Sequence, residues 1–280
     1  MDIADGVLEN APINYQRTPN RGSEINPTVI VLHDTAGTSF QGAIDWLCDP
    51  KARASAHIVI SRKGEICQLC NFNVKAWHAG RSSFKGKSGV NAFGIGIELD
   101  NPGRLERASR SKVKHWAGRK YRIKWNEIEE KETEYHGNAF WMPYTEKQLD
   151  ALQLVCSTLV DVYPLIEDIT THWAIAPGRK VDTNPLFPLS HFRAKVLGRR
   201  DDINRATLLK GAKIRKWPSF YENIVDEVES SLPVEIIREG VFEVKPRQRA
   251  GKKEYKDWAL VEHSADAELR GWVLKEEMEL

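Results

Sequence analysis

The chain of 280 residues lacks any apolar run of the about 18 residues that a membrane-crossing helix needs, so no membrane insertion is expected. Its first residues, Met1-Asp-Ile-Ala-Asp-Gly6, have neither a basic nor an apolar segment of the kind a secretory signal carries. The expectation is a product made in the cytoplasm. Surplus charge is also small: 41 Lys and Arg against 39 Asp and Glu leave a net +2, which calls for no nucleic-acid partner. Cysteine is sparse, with Cys48, Cys67, Cys70 and Cys156 making four. Cys67 and Cys70 form a CxxC, but no second CxxC completes a metal site. They follow the Lys63-Gly64 turn on a strand, where positions i and i+3 face opposite ways, so they read as structural. No internal repeat points to a solenoid, and nothing sets an oligomeric state.

What is present is enough apolar residue, 41%, for a real core, and enough length for one large domain plus a smaller one. Residues 1–26 are polar and turn-rich and read as an arm or edge. Thr28-Val-Ile-Val-Leu32 suits a strand buried on both faces, ending in His33-Asp-Thr-Ala-Gly37. Ser39 is placed to cap a short helix that stops before Pro50. Ser55–Ile60, a turn at 61–64 and the strand holding Cys67 predict a hairpin, and Gly94-Ile-Gly-Ile-Glu-Leu99 another strand. Residues 103–140 are charged and without clear period, a long, partly exposed insertion. Thr145-Glu-Lys-Gln148 is a capping-box pattern, followed by Leu149, Leu152, Val155 and Leu159 at helical spacing. Ile166–Ile169 is a short strand and Ser190–Leu197 a helix closed by Gly198. Alternating strands and helices predict an α/β domain over 1–205, with a mixed central sheet flanked by helices. From 206 to 280 the short strand-like runs 213–215, 224–228, 234–237, 258–261 and 271–274 predict a small all-β barrel.

Three residues could share one metal: His33, His172 and Asp182. Catalytic zinc typically takes three such ligands and keeps one position for water. On spacing alone a strand-end histidine such as His33 is more often structural than a ligand. On its strand, Glu98 shares a face with Gly94 and Gly96, which would leave space above the sheet for a substrate, although an exposed carboxylate on a half-solvated strand fits as well.

The segments Val31-Leu-His-Asp-Thr-Ala-Gly37, Ser55-Ala-His-Ile-Val-Ile60, Ala76-Trp-His-Ala-Gly80, Gly94-Ile-Gly-Ile-Glu-Leu99 and His172-Trp-Ala-Ile-Ala-Pro-Gly-Arg-Lys-Val-Asp182 occur in this order. Together they resemble the type-2 N-acetylmuramoyl-L-alanine amidases, a family that includes phage lysozymes and peptidoglycan recognition proteins, over roughly residues 25–198. The resemblance implies a zinc site of His33, His172 and Asp182, Glu98 as general base and Lys180 as stabiliser of the developing oxyanion. A tyrosine that some members use falls on Ala56, which strengthens the case for Glu98. Trp77 and His78 are expected to line the substrate groove, with His57 behind the metal ligands, while Asp34 stays undecided. The chain departs from the family pattern at Thr171-His172-Trp173 and at Asn184, which affects the loop's shape rather than its ligands.

Residues 211–280, with Lys213-Ile-Arg-Lys-Trp-Pro-Ser219, Trp258-Ala-Leu-Val261 and Arg270-Gly-Trp-Val-Leu274, are similar to bacterial SH3-type domains, interrupted by a basic stretch at 241–256. That resemblance implies a cell-wall-binding module. The expected function is therefore hydrolysis of the muramoyl–L-alanine amide of peptidoglycan by a lytic, endolysin-like or wall-remodelling enzyme that reaches the wall after release or export. A cytosolic amidase of recycled anhydro-muropeptides is the alternative. A non-catalytic peptidoglycan-binding protein is a third, and the retention of all three ligands speaks against it.

Overall fold

The computed structural model describes residues 1–199, 204–220, 222–244, 254–263 and 269–280; the middle of the basic stretch, 245–253, lies outside the described residues. Two compact units result, Met1–Phe187 and Pro188–Leu280.

The apolar run at 28–32 does what its composition demands. It forms β2 (Val29–Asp34), every residue of which is buried, inside a six-stranded sheet. The other strands are β1 (Ile13–Tyr15), β3 (Ile58–Ile60), β4 (Ile66–Gln68), β5 (Gly94–Leu99) and β6 (Asp168–Thr171), in the spatial order β6-β2-β5-β3-β4-β1. The sheet is mixed: β6, β2, β5 and β3 run parallel, while β3 and β4 form the antiparallel hairpin. The N-terminal arm is more than an edge decoration, because β1 adds to the sheet alongside β4.

Helix α1 (Phe40–Cys48) starts where Ser39 Oγ accepts the Gly42 N–H at 3.2 Å. Helix α2 (Glu146–Val162) starts where Thr145 Oγ1 accepts the Gln148 N–H at 3.2 Å, and it buries Leu152, Val155 and Leu159. Gln148 does not complete the capping box. It is fully buried, and its amide donates to Ile60 O (3.1 Å) and Asp100 O (3.3 Å), tying the helix start to two strand ends.

The insertion at 103–140 is folded. Strands Glu106–Ser109, Lys112–Lys114 and Lys120–Arg122 form a three-stranded sheet, and Glu129–Thr133 pairs with Gly137–Trp141. Leu105, Val113, Ile128, Phe140 and Met142 make its core. The strands are short, and Leu105, Ile128 and Met142 of the core lie outside them, which is why no period shows in the sequence.

Among its described residues the second unit carries one α-helix, α4 (Leu189–Leu197), with Gly198 beyond it at φ +67°. Its strands are β7 (Arg205–Leu208), β8 (Lys213–Arg215), β9 (Ile224–Glu227), β10 (Leu232–Glu243), β11 (Tyr255–His263), β12 (Arg270–Leu274) and β13 (Met278–Glu279), paired antiparallel in the order β9-β8-β12-β11-β10-β7-β13. Leu208, Ile214, Val234, Val261 and Val273 pack in one cluster, and Ile237, Trp258, Leu260 and Trp272 in another. The division of the chain lies before α4 rather than at the expected 205/206. The reason is electrostatic as well as apolar: on α4, His191 and Lys195 lie 3.5 and 3.2 Å from the carboxylate of Glu262 on β11. Among the described residues no helix is long and apolar enough to cross a membrane.

Candidate metal centre and active site

Parallel pairing brings the candidate residues together. In register, Glu98 on β5 lies opposite His33 on β2, and Thr171 on β6 lies opposite Leu32. His33, Glu98 and the first residue of α3 (His172–Ile175) thus emerge side by side at the carboxyl ends of three parallel strands, where open α/β sheets place their sites. The loop after α3 returns Asp182 to the same point, and the Trp173 N–H donates to the Asp182 carbonyl.

His33 Nδ1 and His172 Nδ1 are 2.9 Å apart, His172 Nδ1 and Asp182 Oδ2 2.9 Å, and His33 Nδ1 and Asp182 Oδ2 3.3 Å. Around a tetrahedral zinc with bonds of 2.0–2.1 Å, ligand atoms would sit roughly 3.3 Å from one another. The backs of the rings decide what the fronts offer. His78 Nε2 faces the carbonyl of Gly94 at 3.1 Å, so it carries the proton and leaves His78 Nδ1 as an acceptor. His33 Nε2, 3.0 Å from that Nδ1, must then be the donor, which leaves His33 Nδ1 a bare lone pair. His172 Nε2 faces Ala79 O at 3.4 Å, with the same consequence for its Nδ1. Two imidazole lone pairs and a carboxylate oxygen therefore converge with no proton assigned between them, an arrangement that a cation satisfies; these three residues form a group able to hold a metal ion.

The electrostatics agree. Burial, then the neighbouring His172, lowers the His33 pKa to about 4, so the ring is neutral at pH 7, as a metal ligand must be. Burial pushes the Asp182 carboxyl up, but the close approach of the His172 and His33 rings outweighs it and holds the group well below the usual carboxylate range. Glu98 goes the other way: burial, then the charges of Asp182 and Asp34, raise it to about 8, and its Oε2 has no hydrogen-bond partner. Lys180, half-buried on the ligand loop, acts electrostatically on both His33 and Glu98.

Two expectations need correction. The space above Gly94 and Gly96 is filled rather than open. A Cβ at Gly96 would lie 2.3 Å from His78 Cγ, and one at Gly94 would lie 2.8 Å from Val90 Cγ1. The glycines admit the side chains that back the site. For the same reason His78 does not line a groove: it is buried behind His33 and orients it. Trp77 is half-buried, its backbone paired with Ser55. His57 is structural, accepting the Gly96 N–H at Nδ1 (3.0 Å) and donating from Nε2 to Val74 O (2.9 Å).

Further residues hold the loop that carries Asp182. Asp34 Oδ2 accepts the Asn184 N–H at 2.9 Å while the Tyr144 hydroxyl donates to Oδ1 at 2.5 Å; burial raises this carboxyl to about 8. From the insertion, His136 Nε2 donates to Thr183 O at 3.1 Å, and Tyr135 stacks on Trp173 with centroids 4.4 Å apart. Asn184, a departure from the family pattern, reaches Met142 O at 3.1 Å. Arg179 fixes the loop beneath His172, donating to Ala79 O and Arg81 O, both at 2.7 Å. All four cysteines are free, and burial raises Cys67 and Cys70 to about 11, away from redox or metal chemistry.

Among known proteins the chain is similar to a 1,6-anhydro-N-acetylmuramyl-L-alanine amidase AmpD of Citrobacter freundii, 31% identical over 194 residues, spanning 63% of this chain and 84% of that protein. It is also similar to the N-acetylmuramoyl-L-alanine amidase AmiD of Escherichia coli K12, 26% identical over 226 residues, 78% of this chain and 67% of that protein. Among solved structures, that of a selenomethionine AmpD derivative is 29% identical with a TM-score of 0.49, covering 70% of this chain and 99% of its own. The family described as N-acetylmuramoyl-L-alanine amidase matches residues 23–185, a span that holds the three converging side chains, Glu98 and Lys180. The chain belongs to the N-acetylmuramoyl-L-alanine amidase family.

Proposed function

We propose that this protein is a zinc amidase that hydrolyses the bond between the lactyl carbonyl of N-acetylmuramic acid and L-alanine in muropeptides, with 1,6-anhydro-muropeptides as its preferred small substrates. The observation that carries the reading is the convergence of two unprotonated imidazole nitrogens and one carboxylate beside an unpartnered Glu98. The relatives named for the anhydro sugar favour the soluble-substrate alternative over the lytic, endolysin-like role expected from the C-terminal module. All three ligands are present and gathered, which speaks against a non-catalytic receptor.

The nitrogen and oxygen donor set suits zinc. When bound, zinc supplies Lewis acidity toward the scissile carbonyl and acidifies an attacking water. Glu98 takes the proton from that water and passes it to the departing L-alanine amine. Its raised pKa belongs to the protein without a cation; a cation held by His33, His172 and Asp182 would favour the ionised carboxylate. Lys180 offsets the negative charge that grows on the carbonyl oxygen. Trp77 offers an aromatic face to the sugar. Residues 206–280 are proposed to be an SH3-type module for the wall; its support is that the Trp258-Ala-Leu-Val261 and Gly271-Trp-Val-Leu274 motifs fall on neighbouring antiparallel strands.

The test is mass spectrometry of an anhydro-muropeptide digest. The expected products are the free anhydro sugar and a peptide with a new L-alanine amino terminus. Intact substrate, or cleavage at any other bond, would falsify the assignment.

A further inference from the structure

The net charge of +2 conceals a concentrated excess in the insertion. Between 104 and 124 Arg104, Arg107, Arg110, Lys112, Lys114, Arg119, Lys120, Arg122 and Lys124 stand against the single acid Glu106. The three-stranded sheet sorts them by face. Val113 and Tyr121 point inward to the insertion's core, while Lys112, Lys114, Lys120 and Arg122 are exposed. The register sets Lys112 directly opposite Arg122 and Lys114 directly opposite Lys120. Like charges facing each other across an antiparallel pair destabilise it. Lys114 has Glu106 at 3.4 Å, whereas Lys112 and Lys120 have no carboxylate partner among the described residues. A sheet that carries this cost presents a field that an anionic partner neutralises.

The turn at the end of this sheet is fixed to the active site. His115 Nε2 and Trp116 Nε1 both donate to Ala36 O at 2.9 Å, and Arg119 Nη1 donates to Thr38 O at 2.5 Å; Ala36 and Thr38 lie on the loop that leaves His33. Trp116 spends its only polar atom on that contact and leaves its ring 79% exposed, a held aromatic plate beside the cationic face. A substrate that extends beyond the metal group along this side meets positive charge and an aromatic face together.

We propose that the outer face of this insertion is a docking surface for polymeric peptidoglycan. Lys112, Lys114 and Lys120 take the carboxylates of stem peptides flanking the one being cut, and Trp116 stacks on a sugar of the same glycan strand. The inference rests on the amidase reading and goes beyond it, because it gives an enzyme of small muropeptides a hold on the polymer. Both chemistries of the surface, cationic and aromatic, occur in one partner, and the attachment to the His33 loop makes that partner the continuation of the substrate.

The experiment compares the full-length protein with K112E/K114E/K120E and with W116A in co-sedimentation with purified sacculi over a range of salt, with turnover of a soluble anhydro-muropeptide and thermal melting alongside. The triple variant should need about tenfold more sacculi for half-binding and lose much of the salt dependence, as expected for removal of several exposed charge contacts. W116A should weaken sacculus binding without changing its salt dependence. Turnover of the soluble substrate by the triple variant should stay within about twofold, since these exposed charges lie outside the reacting groups. Sacculus binding by the triple variant equal to that of the wild type overturns the proposal. So does a loss confined to duplex DNA or anionic vesicles with sacculus binding unmoved, which would assign the face to phosphate polymers or lipid. Failure of the underlying reading is distinct: the wild-type protein would then cleave neither substrate.

Discussion

Glu98 and His78 flank His33 and do opposite work there. His78 spends both ring nitrogens on protein partners and so fixes which nitrogen of His33 is bare; Glu98 keeps an oxygen without any partner. Replacing the base without changing its shape separates these roles. Glu98→Gln should reduce turnover by about 10²–10⁴-fold, the usual worth of general acid–base catalysis, while zinc content stays at that of the wild type. Near-normal turnover in that variant would remove Glu98 from the chemistry. At this scale the three converging side chains, His33, His172 and Asp182, were legible as a group only through the succession of family motifs. His33 and His172 are 139 residues apart, and no local pattern records that two strand ends meet. His78 was legible as a site residue but not in its role. A histidine between Trp77 and Ala79 looks the same whether it faces substrate or supports a ligand, and only the approach of its ring to Gly96 decides.

Among the elements, β5 carries the clearest compromise. Glycine in a strand interior weakens it, yet Gly96 is the one residue that leaves room for the His78 ring. Gly96→Ala should displace that ring, cost about 1–3 kcal/mol of stability and weaken zinc binding about 10–100-fold through the lost support of His33. Competition with a chromophoric chelator measures the second effect, and unchanged zinc affinity would mean that His78 does not orient the ligand. Helix α4 makes a separate case. Burial raises Glu262, but His191 and Lys195 bring its pKa below the ordinary 4.5. With the folded value below the unfolded one, the ion pairs stabilise the unit above about pH 4.5, and that contribution is lost as the pH falls through the lower folded value. Glu262→Gln should therefore cost about 1 kcal/mol in denaturant melts at neutral pH, solvent screening included, and the gap to the wild type should narrow as the pH falls below 4.5. A gap that persists in acid would place its origin in packing. Helix starts at Ser39 and Thr145 and the buried strand at 29–34 were readable because their causes are local: a capping oxygen, or an unbroken apolar run. The insertion was not, because strands of three to five residues share one small core assembled from both of its halves.

For the whole molecule, the family match and the metal group both fall within the first unit, and the insertion is bound into it at two places. His115, Trp116 and Arg119 hold the loop after His33, while Tyr135 and His136 hold the loop that carries Asp182. The sequence marked this stretch as something added to the family pattern; the fold makes it part of the frame around the ligands. That frame keeps three electron-pair donors pointed at one another, an arrangement that a cation among them would satisfy. The most direct test is a titration of zinc into chelator-stripped protein, following turnover of an anhydro-muropeptide. Activity should rise linearly and reach its plateau at one equivalent of zinc per chain in the wild type, and it should stay at the baseline throughout in Asp182→Ala. Full turnover by the stripped protein before any zinc is added, or the same titration curve in Asp182→Ala, would contradict a metal held by His33, His172 and Asp182.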